Sequence, residues 1–405
     1  MHVCPFRSDV ILKMPEFYIQ PMRDRKTCFK CNKTGKKKLF KCAECEAITY
    51  CNEECQREDW SRHEWNCVPV MVTEILGKGR GIVAAKDIKM GEEIFIDKPV
   101  IKLDMDVGGR FVDPDFRTSL MDQIENLPAE AKIQYYKLTT GDQDSYNHVL
   151  KLFLNNCKKW RQLGKAEDVA VLYLNIALVN HSCVPNATVG RLSLDDDDGD
   201  DEHLSVELRA AKDISKGEEI TTCYYEDDVK KNGSILRKRK TAFKKSQGFD
   251  CTCPVCQGQV PFQGQEKVLK KLIELHKTVK PASRLTDCKK EAGLSKRIAD
   301  LTMELKIGDI KDKISALFGL AKSAHLARDR DLMNYAMDKL RQLVDETKMA
   351  FLQRTLDIME RRFNKWSIEF QSGTPPEKKE IEFILGHINT NDIEVVTPLP
   401  WPEVD

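Results

Sequence analysis

The stretch AAKDIKMGEEIF at residues 84–95 returns as AAKDISKGEEIT at 210–221, identical at nine of twelve positions. Each copy reads as a strand, a turn at glycine and a second strand. Two independent hairpins sharing good turn chemistry would look alike in this way. The chain around them favours a single sheet-rich domain assembled from two separated β-units. Upstream of and through the first copy, VTEILGKGRGIVAAKDIKMGEEIFIDKPV at 72–100 is rich in Val and Ile, with Gly at turn positions. Residues 115–170 read as a helical insert with a polar surface and intermittent Leu, and residues 171–226 return to short strands. A basic helix is predicted over 234–246 (SILRKRKTAFKKS). Beyond Gln265 the pattern is helical to Gln371, with Ile314, Leu317, Phe318, Ala321 and Ala324 at helical spacing. The segment SGTPPE stops that pattern, and the tail TPLPWPEVD reads as extended. The expected fold class is α+β.

Composition bounds the function. At 405 residues the chain has room for two to four domains. With 41% hydrophobic and 32% charged residues it is not a disordered polyampholyte. The apolar run Ala170 to Val179 is interrupted by Asn175 and is half the ~20 residues a membrane helix needs. The N-terminal MHVCPFRSDVILKMPEF lacks the charged-then-apolar order of a signal peptide. A net charge of +1 argues against electrostatic nucleic-acid binding by the whole chain. The acidic run DDDDGDDEH at 195–203 reads as a solvated hairpin tip.

Cysteine is the informative residue. There are fifteen, with no secretory signal, so clustered thiols point to metal before disulfides. Cys4, Cys157, Cys223 and Cys288 stand alone and read as small hydrophobes. The first cluster runs Cys28-x2-Cys31-x10-Cys42-x2-Cys45-x5-Cys51-x3-Cys55-x7-His63-x3-Cys67. Its eight donors saturate two tetrahedral Zn²⁺ ions. The closing pair, His63 and Cys67, is expected on one face of a helix. The second cluster, Cys251, Cys253 and Cys256, supplies three donors, so a structural site there needs a fourth.

Three further motifs lie in order: Gly77-Lys78-Gly79-Arg80-Gly81, then NHSCVPN at 180–186, then GEEITTCYYED at 217–227 followed by Phe249 and the CxCxxC segment. Together they resemble the SET domain of protein-lysine methyltransferases. The first cysteine cluster resembles the MYND zinc finger, and the combination resembles the SMYD family over about residues 28–257. The resemblance implies a layout of N-terminal extension (1–27), MYND finger (28–67), SET domain (70–246, helical insert about 115–170), post-SET segment (247–257), TPR-like helical lobe (265–371) and tail (372–405). It implies an S-adenosyl-L-methionine-dependent transfer to a lysine of a histone or other protein, three Zn²⁺ in all, protein partners for the finger, a monomer, and a cytoplasmic and nuclear location.

Site residues follow from the same resemblance. The finger's ligands would interleave, with Cys28, Cys31, Cys51 and Cys55 on one ion and Cys42, Cys45, His63 and Cys67 on the other. Cys183 of NHSC would be the fourth ligand beside Cys251, Cys253 and Cys256. Lys78, Gly79, Arg80 and Gly81 match the loop around the cofactor's methionyl end. Asn180 and His181 match the residues that hold its adenosyl portion. Tyr224 matches the catalytic tyrosine beside the transferring methyl, and Phe249 the aromatic that stacks on adenine.

The chain also departs from the family pattern. The finger precedes the GKGRG strand instead of interrupting the SET domain. Arg80 stands where relatives often have Asn. The family's N-x-F segment falls at about Asn156-Cys157-Lys158, and Gln247 replaces an aromatic of the lysine channel. A channel short of aromatics would hold lysine less tightly, so the alternative is a SET-MYND scaffold with weak or no catalysis. Nucleic-acid binding through the basic stretches 23–41 and 234–245 ranks last.

Overall fold

The computed structural model describes residues 27–361 except 34–38, 65–66, 107–110, 112, 139–147, 162–166, 192–203, 225–243, 245–248, 260–262, 279–284, 306–309, 349–352, 354–355 and 358–359. The acidic run at 195–203, most of the basic segment 234–246, Gln247, nearly all of the N-terminal extension and the tail therefore lie outside the described residues.

The finger comes first. Strands β1 (Phe40–Lys41) and β2 (Thr49–Tyr50) pair antiparallel and precede helix α1 (Glu53–His63). Asn52 caps α1 by accepting the Cys55 amide at 2.9 Å, and Glu53 and Glu54 face the positive end of the helix dipole. His63 lies in the last turn, so Cys67 stands beyond the helix and not one turn along it. This corrects the helical pairing expected for that pair.

The sheet domain follows. Strands β3 (Val70–Ile75) and β4 (Gly79–Ala84) form a hairpin; β5 (Glu93–Asp97) and β6 (Ile101–Asp106) lead to helices α2 (Phe116–Asn126), α3 (Ala129–Tyr136) and α4 (His148–Asn156). The helical insert is shorter than expected, because its last part forms β7 (Lys158–Arg161) and β8 (Glu167–Leu172). Val169 and Val171 join Trp160 in the central core while Ala170 and Leu172 face the insert helices, a strand's two-sided burial. After β8 come β9 (Asn180–His181), β10 (Ala187–Arg191), β11 (Val206–Ala210) and β12 (Glu219–Thr222). The sheets are ordered β3-β4-β12-β9, β10-β11-β5 and β6-β8-β7, with β9 parallel to β12 and the other pairings antiparallel.

The sequence echo is two halves of one clasp. Ile88 and Ile214 exchange both backbone hydrogen bonds, at 2.9 and 2.8 Å. The Gly217 amide donates to Ala84 O and the Gly91 amide to Ala210 O, each at 2.8 Å. Asp87 Oδ1 accepts the Lys216 amide and Asp213 Oδ1 accepts the Met90 amide, at 2.8 and 2.9 Å. Each copy thus satisfies the other, which explains why the same residues recur at the same places. Gly91 and Gly217 have φ of +81° and +83°, where a side chain is strained.

Asn186, the last residue of NHSCVPN, pins this region. Its Nδ2 donates to Glu218 Oε1 and Glu219 O, both at 2.9 Å, and its Oδ1 accepts the Thr221 amide at 2.8 Å. Asn186→Ala is expected to destabilise the protein by about 2–3 kcal/mol in chemical denaturation, because the buried Thr221 amide and the Glu218 and Glu219 acceptors lose their partner together.

Among the described residues four long helices follow: α5 (Gln263–Thr278), α6 (Leu285–Glu304), α7 (Ile310–Ala327) and α8 (Arg330–Thr347). Ile314, Leu317, Phe318, Ala321 and Ala324 share one core with Met337, Leu340 and Val344 of α8. Among the described residues no helix is long and apolar enough to cross a membrane.

Candidate cofactor cavity and thiol clusters

A cavity of about 330 Å³ opens where the β3–β4 turn, β9, Tyr224 and the post-SET segment meet. Gly77, Lys78, Gly79 and Arg80 form one wall, Asn180, His181, Ala177 and Leu178 another, and Tyr224 and Phe249 close it. Gly77 and Gly79 have φ of +73° and +74°, so the loop's course needs glycine. Gly81 is required for a different reason: a Cβ there would stand 2.6 Å from Asn180 Nδ2.

That close approach lets Asn180 hold the loop. Its Nδ2 donates to Arg80 O at 3.1 Å and to Glu219 Oε1 at 3.0 Å, while Glu219 Oε2 pairs with Lys78 Nζ at 2.5 Å. Glu219 therefore ties two expected site residues, Lys78 and Asn180, together, and sequence reading did not single it out. The clue was present, since Glu93 holds the same place in the other echo copy and meets Arg209 at 3.4 Å. The Arg80 guanidinium turns outward to Gln134 Oε1 and Lys137 O. Leu138, Asn155, Asp250 and Thr252, also absent from the sequence reading, line the cavity too, as does Asn156 of the expected N-x-F segment.

Tyr224 is anchored at both ends. Its hydroxyl donates to Val179 O at 2.8 Å, leaving its lone pairs available, and its amide donates to His181 Nδ1 at 3.0 Å. Burial, and then the charge of Glu219, push its hydroxyl above the ordinary tyrosine range, so it stays a neutral phenol at physiological pH. Because Nδ1 accepts, the proton of a neutral His181 ring sits on Nε2, which lies 3.4 Å from Cys183 Sγ. Phe249 is 40% exposed and presents its ring at the cavity's rim.

The structure brings the metal-type donors into three sets of four: Cys28, Cys31, Cys51 and Cys55; Cys42, Cys45, His63 and Cys67; and Cys183, Cys251, Cys253 and Cys256. Within each set the ligand atoms all lie within 4.8 Å of one another. Tetrahedral thiolates on zinc, with Zn–S of about 2.3 Å, would stand about 3.8 Å apart. Cys31–Cys51, Cys42–Cys67 and Cys183–Cys256 measure 3.7, 3.9 and 3.8 Å, and His63 Nε2 is 3.6 Å from Cys45 Sγ. The donor sets fit zinc in chemistry and spacing. The thiols of Cys45 and Cys67 hold that of Cys42 well below its usual range, and Cys183 and Cys253 do the same for Cys251. Cys42 and Cys251 are thus favoured as the thiolates a metal requires, while Cys256 is pushed above the usual thiol range. Leu269, Leu272 and Leu275 of α5 pack over the third set, which couples it to the helical lobe. Cys157 differs: burial pushes its thiol up to about 12, as befits an inert core residue.

Residues 79–225 match the SET domain family and residues 28–67 the MYND finger family. The protein is thus of the SET-domain class, with a metal-binding finger ahead of the sheets. Among similar proteins, human histone-lysine N-methyltransferase SMYD1 is 27% identical over 62% of this chain and 52% of its own. Human N-lysine methyltransferase SMYD2 is 26% identical over 62% and 56%, and human histone-lysine N-methyltransferase SMYD3 25% identical over 74% and 71%. The chain spans about half the length of the first two. It is similar to the SMYD proteins in carrying a MYND match ahead of a SET match.

Proposed function

We propose that the protein is an S-adenosyl-L-methionine-dependent protein-lysine N-methyltransferase, with Tyr224 as its catalytic tyrosine, acting on histone or other protein lysines. The observation that carries this reading is the cavity itself. A glycine-rich loop, the Asn180 and His181 strand, a buried tyrosine and an aromatic rim meet in a space sized for a nucleoside with an amino-acid arm. The lining fits such a group: Leu138, Ala177 and Leu178 offer apolar walls, Phe249 a stacking face, and Asn155 and Asn156 carboxamides. When bound, the cofactor supplies an electrophilic methyl on a sulfonium sulfur.

The protein's own task is alignment and exclusion of water. The Lys78–Gly81 loop, locked through Asn180 and Glu219, would enclose the methionyl end. The Tyr224 hydroxyl, fixed by Val179 O, would have lone pairs left to accept weak C–H hydrogen bonds from the methyl of a bound cofactor. The target lysine must arrive neutral, with a desolvated channel favouring loss of its proton. Positioning of this kind can supply several kcal/mol without an acid–base triad.

We further assign three Zn²⁺ per chain, two in the finger for partner binding and one joining Cys183 to the post-SET segment. Isothermal calorimetry with S-adenosyl-L-methionine, together with methyl transfer to core histones and cytosolic proteins, tests the enzyme reading. Phe249→Ala is expected to weaken cofactor binding about tenfold through the lost stacking area. No detectable binding by the wild-type protein, together with no transfer, would leave a scaffold as the correct reading.

A further inference from the structure

One cation meets Tyr224 from outside the cavity. Lys158 opens β7, with its backbone paired to Val171 of β8, and its Nζ lies 5.1 Å from the centroid of the Tyr224 ring. Tyr224 bounds the cavity, whereas Lys158 does not. Two and three residues earlier, Asn156 and Asn155 do, so the backbone carrying Lys158 continues directly from the cavity wall. An in-line displacement requires the acceptor nitrogen to approach the methyl opposite the leaving sulfur. With the cofactor in the cavity, that approach would run alongside Tyr224, and Lys158 Nζ stands against the ring of that residue without lining the cavity.

We propose that Lys158 is a resident pseudosubstrate: its ammonium occupies the acceptor lysine's place against Tyr224, and an incoming lysine must displace it. This rests on the methyltransferase reading and determines which lysines that site accepts and how readily. Two features make Lys158 an occupant and not an acceptor. The face of an aromatic ring attracts the protonated ammonium, which has no lone pair to attack a methyl. The strand pairing also ties its backbone to the sheet, so the side chain must reach from a fixed base. An incoming lysine meets both a filled space and a like charge, so extended segments without neighbouring positive charge are admitted more readily than basic ones.

The test compares wild type, Lys158→Met and Lys158→Arg. Methionine keeps the unbranched side chain and removes the charge; arginine keeps the cation. Cofactor affinity by calorimetry and thermal melting report whether each variant is folded with an intact cavity. Binding of a lysine-containing histone-tail peptide to the S-adenosylhomocysteine-loaded protein is then measured without turnover, alongside methyl transfer to the same peptide. Lys158→Met is expected to tighten peptide binding and raise transfer about tenfold, the scale of a desolvated cation–aromatic contact, with cofactor affinity unchanged. Lys158→Arg should behave as wild type. Cofactor bound equally by all three, with peptide binding and transfer the same in Met and wild type, overturns the proposal while leaving the enzyme reading intact. So does a 14 Da mass gain at Lys158 on incubation with cofactor, which would make it an acceptor. Absence of cofactor binding in every variant overturns both.

Discussion

Stripping zinc with a strong chelator is expected to unfold residues 28–67 while the sheets between residues 70 and 224 stay folded. The reason is the finger's interior. Its core cluster consists of Cys28, Phe29, Cys42, Cys45, Ile48, Tyr50 and Cys67, so the ligands are most of the core. Structural zinc supplies about 10–16 kcal/mol of apparent binding energy in small domains of this type, far more than three apolar side chains provide. The sheet domain instead buries a large apolar cluster running from Val68 to Ile220 and needs no ion for it. Elemental analysis should return three Zn²⁺ per chain, and hydrogen exchange after chelation should lose protection at 28–67 first. Cys183→Ala should remove one ion, leave the finger intact, and weaken cofactor binding, because Phe249 sits two residues before Cys251. It also removes the thiol beside His181 Nε2, and His181 in turn holds the Tyr224 amide. A wild-type count of two, unchanged in Cys183→Ala, would exclude the third site.

Arg209→Ala should be the most damaging substitution away from the metal sites, costing about 3–5 kcal/mol at neutral pH. Arg209 lies between Glu207, which is wholly buried, and Glu93. Its Nη2 reaches Glu207 Oε2 at 2.5 Å and its Nη1 donates to Gly91 O at 2.9 Å, in the turn of the first echo copy. Burial already raises the carboxyl groups of Glu207 and Glu93, and Arg209 is what opposes that rise. Without it Glu207 is left buried and Glu93 half-buried, both uncompensated. A carboxyl whose folded pKa is raised contributes stability below its unfolded pKa and loses it as pH rises through the folded value. The penalty of Arg209→Ala relative to wild type should therefore shrink as pH falls from 7 toward 5. Urea denaturation at both pH values measures it, and a penalty below 1 kcal/mol at pH 7 would refute the charge argument. Replacing Glu207 and Arg209 together by Met should restore much of the loss.

The site was largely visible in the chain because its chemistry is concentrated in unusual residues. Ten clustered cysteines and one histidine can be found by spacing alone, and the glycine loop and NHSC, which carries Cys183, leave dense local signals. Glu219 escaped notice because a single glutamate in a charged turn looks like any solvated acid. Only folding places it within reach of both Lys78 and Asn180. The helical reading of 158–170 failed for a related reason. An alternating, partly apolar segment becomes a strand when a free edge such as β6 is offered to it, and that edge is supplied by residues sixty positions earlier.

By itself the sequence showed two regions of metal-type donors, paired β-units around a helical insert, and motifs that resemble a SET domain. Those conclusions follow from residue identity and short-range spacing, which survive without coordinates. Tertiary structure decided the rest: which thiols come together in each set of four, that Cys67 stands off the helix, that the two echo copies clasp each other, and that Lys158 lies over Tyr224. Each of these is a contact between residues far apart in the chain or on opposite sides of a turn. Such contacts are set by the energy of the whole packed arrangement, and no local pattern encodes them.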